Sequence, residues 1–250
     1  MGVKWLEPDA FKKTYGIVSQ GGILSDTAAS VDAYQMAHEL IAFNVKRGMK
    51  VFDQTEIKSI QDQGKFPKVI TQENHTIRAQ KIVFCTGFES LNLLKEKVAD
   101  LIYTYATVSE PTQTYNKSLE KILIWDTQDP YLYMRTTDDG RFLVGGEDSV
   151  YKDTILQQNI KEEKSKTLIK KLKKTLPDLD FIEDISWGGI FGTTKDGLPY
   201  IGESPEYKNC LFCLGFGGNG ITFSAQGRKI IVDLLQNKEN ALVPYYRFGR

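Results

Sequence analysis

A glycine-rich turn near the end of the sequence is the segment whose residue types and spacing best suit ligand chemistry. Residues Gly215 to Gly220 read G-F-G-G-N-G, between a predicted strand and a predicted helix. The spacing matches the dinucleotide fingerprint G-x-G-x-x-G, but too little chain follows for the strand and acidic residue that a dinucleotide site also needs. The turn would still admit a flat ligand, and the N–H groups of a helix starting near Ile221 would stabilise an anion. A plain strand-to-helix turn is the alternative.

The cysteines and histidines form no catalytic or metal-binding pattern. Cys210 and Cys213 have C-x-x-C spacing within the apolar run CLFCLG, so we predict a buried strand and no metal site. We expect structural positions for His38, on a helix face, and for His75, in a hairpin turn. Because no Ser-His-Asp or Cys-His arrangement indicates hydrolysis, any chemistry must come from a cofactor.

Composition excludes several classes of partner. The 250 residues include 32 basic and 32 acidic side chains, with 41% apolar residues, so we expect a globular protein that binds neither nucleic acid nor an anionic membrane. No apolar run approaches the roughly 20 residues of a membrane span, and no signal peptide is visible. We expect a cytoplasmic location.

The elements that would position the glycine turn follow an α/β (α+β) pattern. A short helix ends at Gly16, and an amphipathic helix capped by Ser30 or Asp32 ends before Gly48. We expect this second helix to pack on a sheet. Short strands follow, namely MKVF, TEIKSI, KVIT and KIVFCTG, the last predicted to be buried on both faces.

The second half of the sequence predicts an antiparallel sheet. Its strands are LIYTYATVSE, ILIWD, PYLYMRTT and RFLVGGE, with a hairpin turn at Asp138 to Gly140. A charged helix, from Asp153 to Leu176, has an apolar minority that includes Ile155 and Leu168, and its lysines are expected to be solvated. The strand ISWGGIFG, the loop TTKDGLPYIGE and the strand NCLFCLG lead to the glycine turn and a last helix.

Several blocks carry a family resemblance when they are taken in order. They are SVDAYQMAHEL, TEIKSI, IVFCTG, PYLYMRTTDDGRFLVGGED, KDGLPYIGE and GFGGNGITFS. In this order and spacing the chain resembles the D-amino-acid oxidase superfamily of FAD-dependent oxidoreductases, which includes glycine oxidase and sarcosine oxidase. The resemblance implies oxidation of the C–N bond of a small amino acid or amine by hydride transfer to a flavin.

The resemblance also implies the residues that contact FAD. The backbone of Ile57 would contact the adenine side, and Thr86 and Gly87 match a strand end that passes close to the cofactor. The other implied positions, in the D-G-x-P loop and under the flavin, are Asp196, Gly197, Gly217, Gly218, Asn219, Gly220, Ile221 and Thr222. No Cys lies between Trp187 and Asp196, where some relatives attach the flavin, so FAD would be non-covalent.

Tyr131 and Arg135 are the implied catalytic residues. They lie on the strand that faces the flavin in relatives, where a Tyr and sometimes an Arg hold the substrate carboxylate. Arg135 could clamp a carboxylate with two parallel charge-assisted hydrogen bonds; an exposed strand arginine is the alternative. Hydride transfer needs orientation more than a protein base, so we name no general base.

The chain departs from the family at specific positions. Phe191 stands where amino-acid oxidases commonly have an arginine, which leaves Arg135 as the obvious carboxylate partner or makes the substrate a simple amine. Sarcosine oxidases have a Lys facing flavin N5, a His and a second Lys where this chain has Leu143, Asn219 and Thr222. We therefore expect slow reaction with oxygen.

The largest departure is at the amino terminus, because the family's G-x-G-x-x-G segment does not precede the first matched block. We predict an incomplete FAD-binding Rossmann-like domain interwoven with an antiparallel-sheet substrate domain. Residues 1–24 and 90–190 would be substrate-domain segments, and residues 25–89 and 191–250 the FAD-binding parts. We expect these residues alone to bind FAD poorly. The alternative function is a non-catalytic remnant or subunit that binds a partner chain, or a second copy, through an uncovered sheet edge.

Overall fold

The computed structural model describes residues 2–63, 65–112, 114–151 and 157–250. The helices are α1 (Pro8–Tyr15), α2 (Ala33–Lys46), α3 (Gln157–Thr175), α4 (Gly220–Leu235) and α5 (Val243–Tyr246). The strands are β1 (Val3–Leu6), β2 (Gly22–Ser25), β3 (Ile57–Gln61), β4 (Lys68–Thr71), β5 (Thr76–Arg78), β6 (Ile82–Phe84), β7 (Asp100–Ser109), β8 (Ile124–Trp125), β9 (Leu132–Thr136), β10 (Phe142–Val150), β11 (Glu183–Thr193), β12 (Tyr200–Glu203) and β13 (Cys210–Leu214). This mixture of helix and antiparallel sheet confirms the predicted fold class.

The chain divides into two compact units, each made of two stretches of sequence. Unit 1 comprises Met1–Ser30 and Ile102–Ile190, and unit 2 comprises Val31–Leu101 and Phe191–Arg250. The two units are described separately below.

Unit 1 is built around an antiparallel sheet with strand order β11-β7-β10-β9-β8. The predicted hairpin joins β9 to β10, and their register pairs Arg135 with Leu143 and Tyr133 with Gly145. Alternate residues of these strands, including Leu132, Met134 and Val144, pack with α3 in one apolar core. The alternation leaves the opposite face of β9 free for polar side chains.

Helix α3 confirms its predicted apolar face, and its lysines Lys166, Lys170, Lys173 and Lys174 are exposed as predicted, but two other lysines are not solvated. Leu168 and Leu172 are fully buried, whereas the predicted start of the helix and Ile155 lie outside the described residues. Lys164 and Lys171 form ion pairs with the buried Glu147. Helical periodicity alone does not reveal these contacts, because they depend on an anion carried by β10.

Unit 2 contains the sheet that carries the glycine turn, with strand order β12-β13-β6. All residues of β13 are buried, as the apolar run CLFCLG predicted. One face of β13 packs Phe212 against Phe84 and Phe248, and the other packs Leu211 and Cys213 against α4. A second sheet, β3-β4-β5, has the predicted hairpin turn before His75.

Three local predictions in unit 2 are wrong. The segment MKVF forms no strand, and Phe52 in it is 70% exposed. Val83 in β6 is exposed, although we expected burial on both faces. The Asp32 side chain caps α2 as predicted, by accepting a hydrogen bond from the Gln35 N–H at 2.9 Å, but α2 has no buried residue.

These errors have one physical cause. A strand needs a neighbour for its backbone hydrogen bonds, and an amphipathic helix needs a surface to cover. Within the described residues, β6 pairs on one edge only, with β13. The exposed apolar residues of α2 and of the segment after it are Tyr34, Leu40, Ile41, Phe43, Val45, Met49, Val51 and Phe52. Below, these exposed apolar residues are called the α2 surface.

Candidate functional site

Three loops of unit 2 leave the same edge of the β12-β13-β6 sheet. Strand β6 runs parallel to β13 and pairs Phe84 with Phe212, so the segment Cys85–Gly87 and the glycine turn start at the same end of the two strands. Strand β12 is antiparallel and pairs Tyr200 with Leu214, which brings the loop Thr194–Pro199 to that end as well. We call these three loops the glycine edge. They carry all the predicted cofactor positions of unit 2 except Ile57 and those in the first turn of α4.

The glycine turn has the backbone conformation and the open space that a flat ligand needs. Gly215 and Gly217 have φ values of +79° and +52°, which L side chains rarely adopt. A Cβ atom added at Gly217 or Gly218 would meet no atom within 4 Å. By contrast, a Cβ at Gly215 would lie 2.7 Å from Cγ2 of Thr194. The turn is therefore packed against the neighbouring loop at its start and open on its outer side.

Helix α4 begins at Gly220, at the end of the turn, with Ile221 and Thr222 in its first turn. Asn219 is the N-cap residue, and its side chain makes no capping hydrogen bond. The Asn219 side chain therefore does not occupy the N–H groups at the start of the helix, which together act as a partial positive charge. Gly227 fixes the helix against the sheet, because a Cβ there would lie 2.7 Å from the Cys213 sulfur.

Asp196 shapes its loop. Its carboxylate accepts hydrogen bonds from Nε and Nη2 of Arg250, at 2.7 and 3.0 Å, and from the Leu198 N–H at 3.1 Å. The hydrogen bonds from Arg250 hold the pKa of Asp196 well below its usual range, against the opposing effect of burial. Gly197 follows with a φ of +73°, which makes a tight turn. The Arg250 guanidinium also lies 3.8 Å from the ring centroid of Tyr200.

The remaining predicted cofactor residues lie at different places. Thr86 lies two residues after β6, with its hydroxyl 2.7 Å from that of Ser90, and Gly87 begins a short 3-10 helix with a φ of +58°. Both belong to the glycine edge. Ile57 is the first residue of β3, in the other sheet of unit 2.

Unit 1 carries both predicted catalytic residues on one side of β9. Tyr131, Tyr133 and Arg135 alternate with the buried Leu132 and Met134, so they share the face opposite the core. The rings of Tyr131 and Tyr133 are 6.3 Å apart. Arg135 donates from Nη1 to the Thr136 carbonyl at 3.0 Å. We call these three residues together with Asp148 the tyrosine face.

A bulge in β10 brings Asp148 to this face. The register of β10 with β7 shifts between Gly146 and Ser149, and Gly146 and Glu147 have φ values of +131° and +55°. A bulge of this kind turns side chains away from simple alternation. The Asp148 carboxylate interacts with the Tyr131 hydroxyl, and burial together with this carboxylate raises the pKa of Tyr131 to about 12.

Tyr133 lies between two opposite charges. Burial is the main cause of its raised pKa, the Asp148 carboxylate adds to the rise, and a hydrogen bond with Thr104 and the charge of Arg135 oppose it. Its ring covers Gly145, where an added Cβ would lie 2.2 Å from Cζ. Both tyrosines are therefore neutral hydrogen-bond donors at physiological pH.

The bulge is held in place by a buried ionic cluster. Glu147 is 6% exposed, and its carboxylate pairs with Lys164 at 3.3 Å and with Lys171. Lys164 also donates to the Glu147 carbonyl at 2.9 Å. Burial alone would raise the pKa of Glu147, but the hydrogen bonds and charges of Lys171 and Lys164 outweigh it and lower the pKa.

Sequence reasoning missed Tyr133 and Asp148. Tyr133 has a readable signal, since it lies two residues from both Tyr131 and Arg135 and strand alternation puts all three on one face. Asp148 has none, because its position depends on the bulge. Among the described residues, no group of three or more His, Cys, Asp or Glu side chains could hold a metal ion, and no described helix is long and apolar enough to cross a membrane.

Comparison with known proteins adds a family match. The family model DAO, described as FAD dependent oxidoreductase, matches residues 1–234. The glycine oxidase of Bacillus licheniformis is 27% identical over 245 residues, which are 93% of this chain and 62% of that protein. A D-amino acid dehydrogenase of Helicobacter pylori is 23% identical over 88% of this chain and 52% of its own length.

Solved structures show the same fold. The crystal structure of glycine oxidase from Geobacillus kaustophilus has a TM-score of 0.84 at 20% identity, with all of this chain and 67% of that chain covered. The structure of L-proline dehydrogenase from P. horikoshii has a TM-score of 0.79 at 17% identity, with 98% and 67% covered. The chain spans about 62% of the length of the Bacillus licheniformis glycine oxidase.

Proposed function

Because the chain belongs to the DAO family of FAD-dependent oxidoreductases, we propose that it takes part in oxidation of the C–N bond of a small amino acid or amine in the cytoplasm. FAD would be the hydride acceptor. The observation that carries this proposal is the glycine edge. Its open glycine turn and uncapped helix start suit a flat ring that becomes negatively charged on reduction.

The chain's own residues fit one side of the cofactor. Gly217 and Gly218 leave room for a ring to lie against the backbone, and Gly87 offers the same freedom at the neighbouring strand end. The N–H groups of Gly220, Ile221 and Thr222 would donate to the flavin, where negative charge collects. FAD, when bound, supplies the hydride acceptor. Asp196 contributes indirectly, through the loop that it shapes with Arg250.

On the substrate side, the tyrosine face supplies orientation. Arg135 would hold a substrate carboxylate through two parallel hydrogen bonds, and the neutral hydroxyls of Tyr131 and Tyr133 are donors beside it. Fixing the substrate in one pose lowers the entropic part of the barrier. We assign no general base. Binding would be non-covalent, and we expect FAD to bind weakly to these residues alone.

Anaerobic reduction of FAD tests the proposal. We expect the chain, mixed with excess FAD, to bleach the flavin absorbance with at least one of glycine, D-alanine and L-proline, while the flavin alone does not react. Arg135→Ala should weaken the binding of a carboxylate substrate by about 2–5 kcal/mol if the charged pair is desolvated. Arg78→Ala, an exposed strand arginine in unit 2, is the matched control. Equal losses for amino acids and simple amines would remove Arg135 from this role.

A second candidate function is that of a subunit or remnant that binds a partner chain. The α2 surface favours it, because a helix without a buried residue and a free strand edge lie in the same unit and exposed apolar surface of this kind marks binding sites. Light scattering across a concentration series tests it. Self-association abolished by Phe43→Lys would identify a second copy as the partner, and a monomer at all concentrations would exclude one.

A further inference from the structure

We propose that Asp148 binds the ammonium group of an amino-acid substrate whose carboxylate is held by Arg135. The ammonium group gives a proton to water before hydride leaves the α-carbon of the neutral amine. The inference rests on the proposed function and names its substrate class. It follows from the strand alternation that puts Tyr133 and Arg135 on one face of β9, from the bulge that carries Asp148, and from a buried oxygen of Asp148 that has no hydrogen-bond partner among the described residues.

The first step is the state of the Asp148 carboxylate. Its oxygen Oδ1 is buried, and within the described part of the chain it has no hydrogen-bond partner. A buried carboxylate oxygen without a partner is costly, so native sites pair such groups with a cation or a hydrogen-bond donor. The Tyr131 hydroxyl interacts with the same carboxylate. A ligand with N–H donors and a positive charge would satisfy the remaining oxygen.

The second step is that the two lysines that contact the neighbouring Glu147 are already engaged. Glu147, the neighbour of Asp148, is paired with both Lys164 and Lys171. Lys164 is held further by the Glu147 carbonyl, and Lys171 by the Pro130 carbonyl at 3.4 Å. These ammonium groups neutralise Glu147 and hold the bulge. Within the described residues, neither of these two lysines is therefore paired with Asp148.

The third step is the complementary charge on the same face. Arg135 and Tyr133 share a face of β9, and the charges of Arg135 and Asp148 act on Tyr133 in opposite directions. An α-amino acid at neutral pH carries a carboxylate and an ammonium group on one carbon atom. A zwitterion therefore meets both charges, whereas an acid or an amine meets one. The tyrosine face should therefore bind an amino acid more tightly than it binds a simple carboxylic acid or a simple amine.

Equilibrium binding separates these ligands without any reaction. Isothermal titration of the 250-residue chain, with and without FAD, would compare glycine with its fragments acetate and methylamine, and D-alanine and L-proline would extend the panel. We expect an amino acid to bind at least about tenfold more tightly than either fragment, the equivalent of about 1.4 kcal/mol. Asp148→Asn should weaken the amino acid about tenfold or more and change acetate binding by no more than about twofold.

Control variants keep the outcome interpretable. Asp138→Asn makes the same change at an exposed turn residue of unit 1 and should leave all affinities unchanged. Asp148→Asn must keep the wild-type urea midpoint; Asp148→Ser replaces it if it does not.

Equal weakening of amino-acid binding and acetate binding, or no binding of any amino acid in the panel, would overturn the proposal. Flavin reduction by a simple amine at a rate independent of Asp148 would also overturn it while leaving the proposed function standing. Selective binding of amino acids without flavin reduction would support the role of Asp148 and contradict the proposed function.

Discussion

Replacing Glu147 by glutamine should destabilise unit 1, because it removes the anion from a buried ionic cluster. Glu147 is 6% exposed, while the side chains of its partners Lys164 and Lys171 are 24% and 27% exposed. Removing one partner of a fully buried pair costs about 3–5 kcal/mol. Since both lysines can regain part of their hydration, we expect a loss of about 2–4 kcal/mol at neutral pH. The φ of +55° at this position is equally strained for glutamine, so backbone strain does not change.

The effect should depend on pH in a defined direction. The pKa of Glu147 is lowered in the folded chain from its ordinary value of 4.5. A lowered pKa means that the carboxylate stabilises the fold fully above its unfolded pKa and loses this contribution as the pH falls towards the folded pKa. The stability difference between the wild type and Glu147→Gln should therefore be constant near neutrality and shrink below pH 4.5.

Urea unfolding followed by tryptophan fluorescence measures this effect in the right unit. All three tryptophans, Trp5, Trp125 and Trp187, lie in unit 1, so the signal reports the unit that contains Glu147. Glu162→Gln changes an exposed residue of α3 and is the matched control, with an expected change within about 0.5 kcal/mol. A Glu147→Gln loss below 1 kcal/mol, or a difference that grows at acid pH, would refute the reasoning.

Further predictions concern the glycine edge and the electron acceptor. Gly227→Ala should cost unit 2 about 1–3 kcal/mol, because the added Cβ would lie 2.7 Å from the Cys213 sulfur; thermal unfolding would measure it, and an unchanged midpoint would contradict the close packing. Arg250→Lys should speed amide exchange in the Thr194–Pro199 loop, because lysine cannot make the paired hydrogen bonds to Asp196; unchanged exchange would show that the loop is held by other contacts. In an FAD-loaded preparation, we expect a quinone or dye to reoxidise the flavin faster than oxygen does, because our sequence alignment predicts Leu143 at the position of the lysine in sarcosine oxidases. Stopped-flow reoxidation by oxygen as fast as by the dye would contradict this.

Much of the fold could be predicted because its signals are local. The hairpin at Asp138 to Gly140, the buried strand CLFCLG and the Asp32 cap each depend on a few neighbouring residues, and the structure confirms them. The glycine turn was likewise readable as a strand-to-helix connection. We missed β12 within the segment TTKDGLPYIGE, because Gly202 interrupts its pattern and pairing with β13 decides its conformation.

The errors arose where the outcome depends on distant parts of the chain. MKVF has the composition of a strand but pairs with no neighbour among the described residues, and the described part of unit 2 leaves the apolar face of α2 exposed. Asp148 could not be assigned to the tyrosine face because a bulge reverses alternation after Gly146. The bulge in turn depends on the pairing of Glu147 with lysines of α3, a contact between residues far apart in sequence.

Flavin binding by the chain tests the central claim most directly, namely that unit 2 carries the flavin-ring side of an FAD site. Fluorescence titration would compare FAD, riboflavin and ADP. We expect FAD and riboflavin to bind weakly and within about tenfold of each other, ADP not to compete, and Gly218→Leu to abolish binding, because the added side chain would enter open space beside the turn. Asp138→Leu, at an exposed turn residue of unit 1, should change nothing. FAD binding more than about a hundredfold tighter than riboflavin binding, with displacement by ADP and no effect of Gly218→Leu, would contradict the claim.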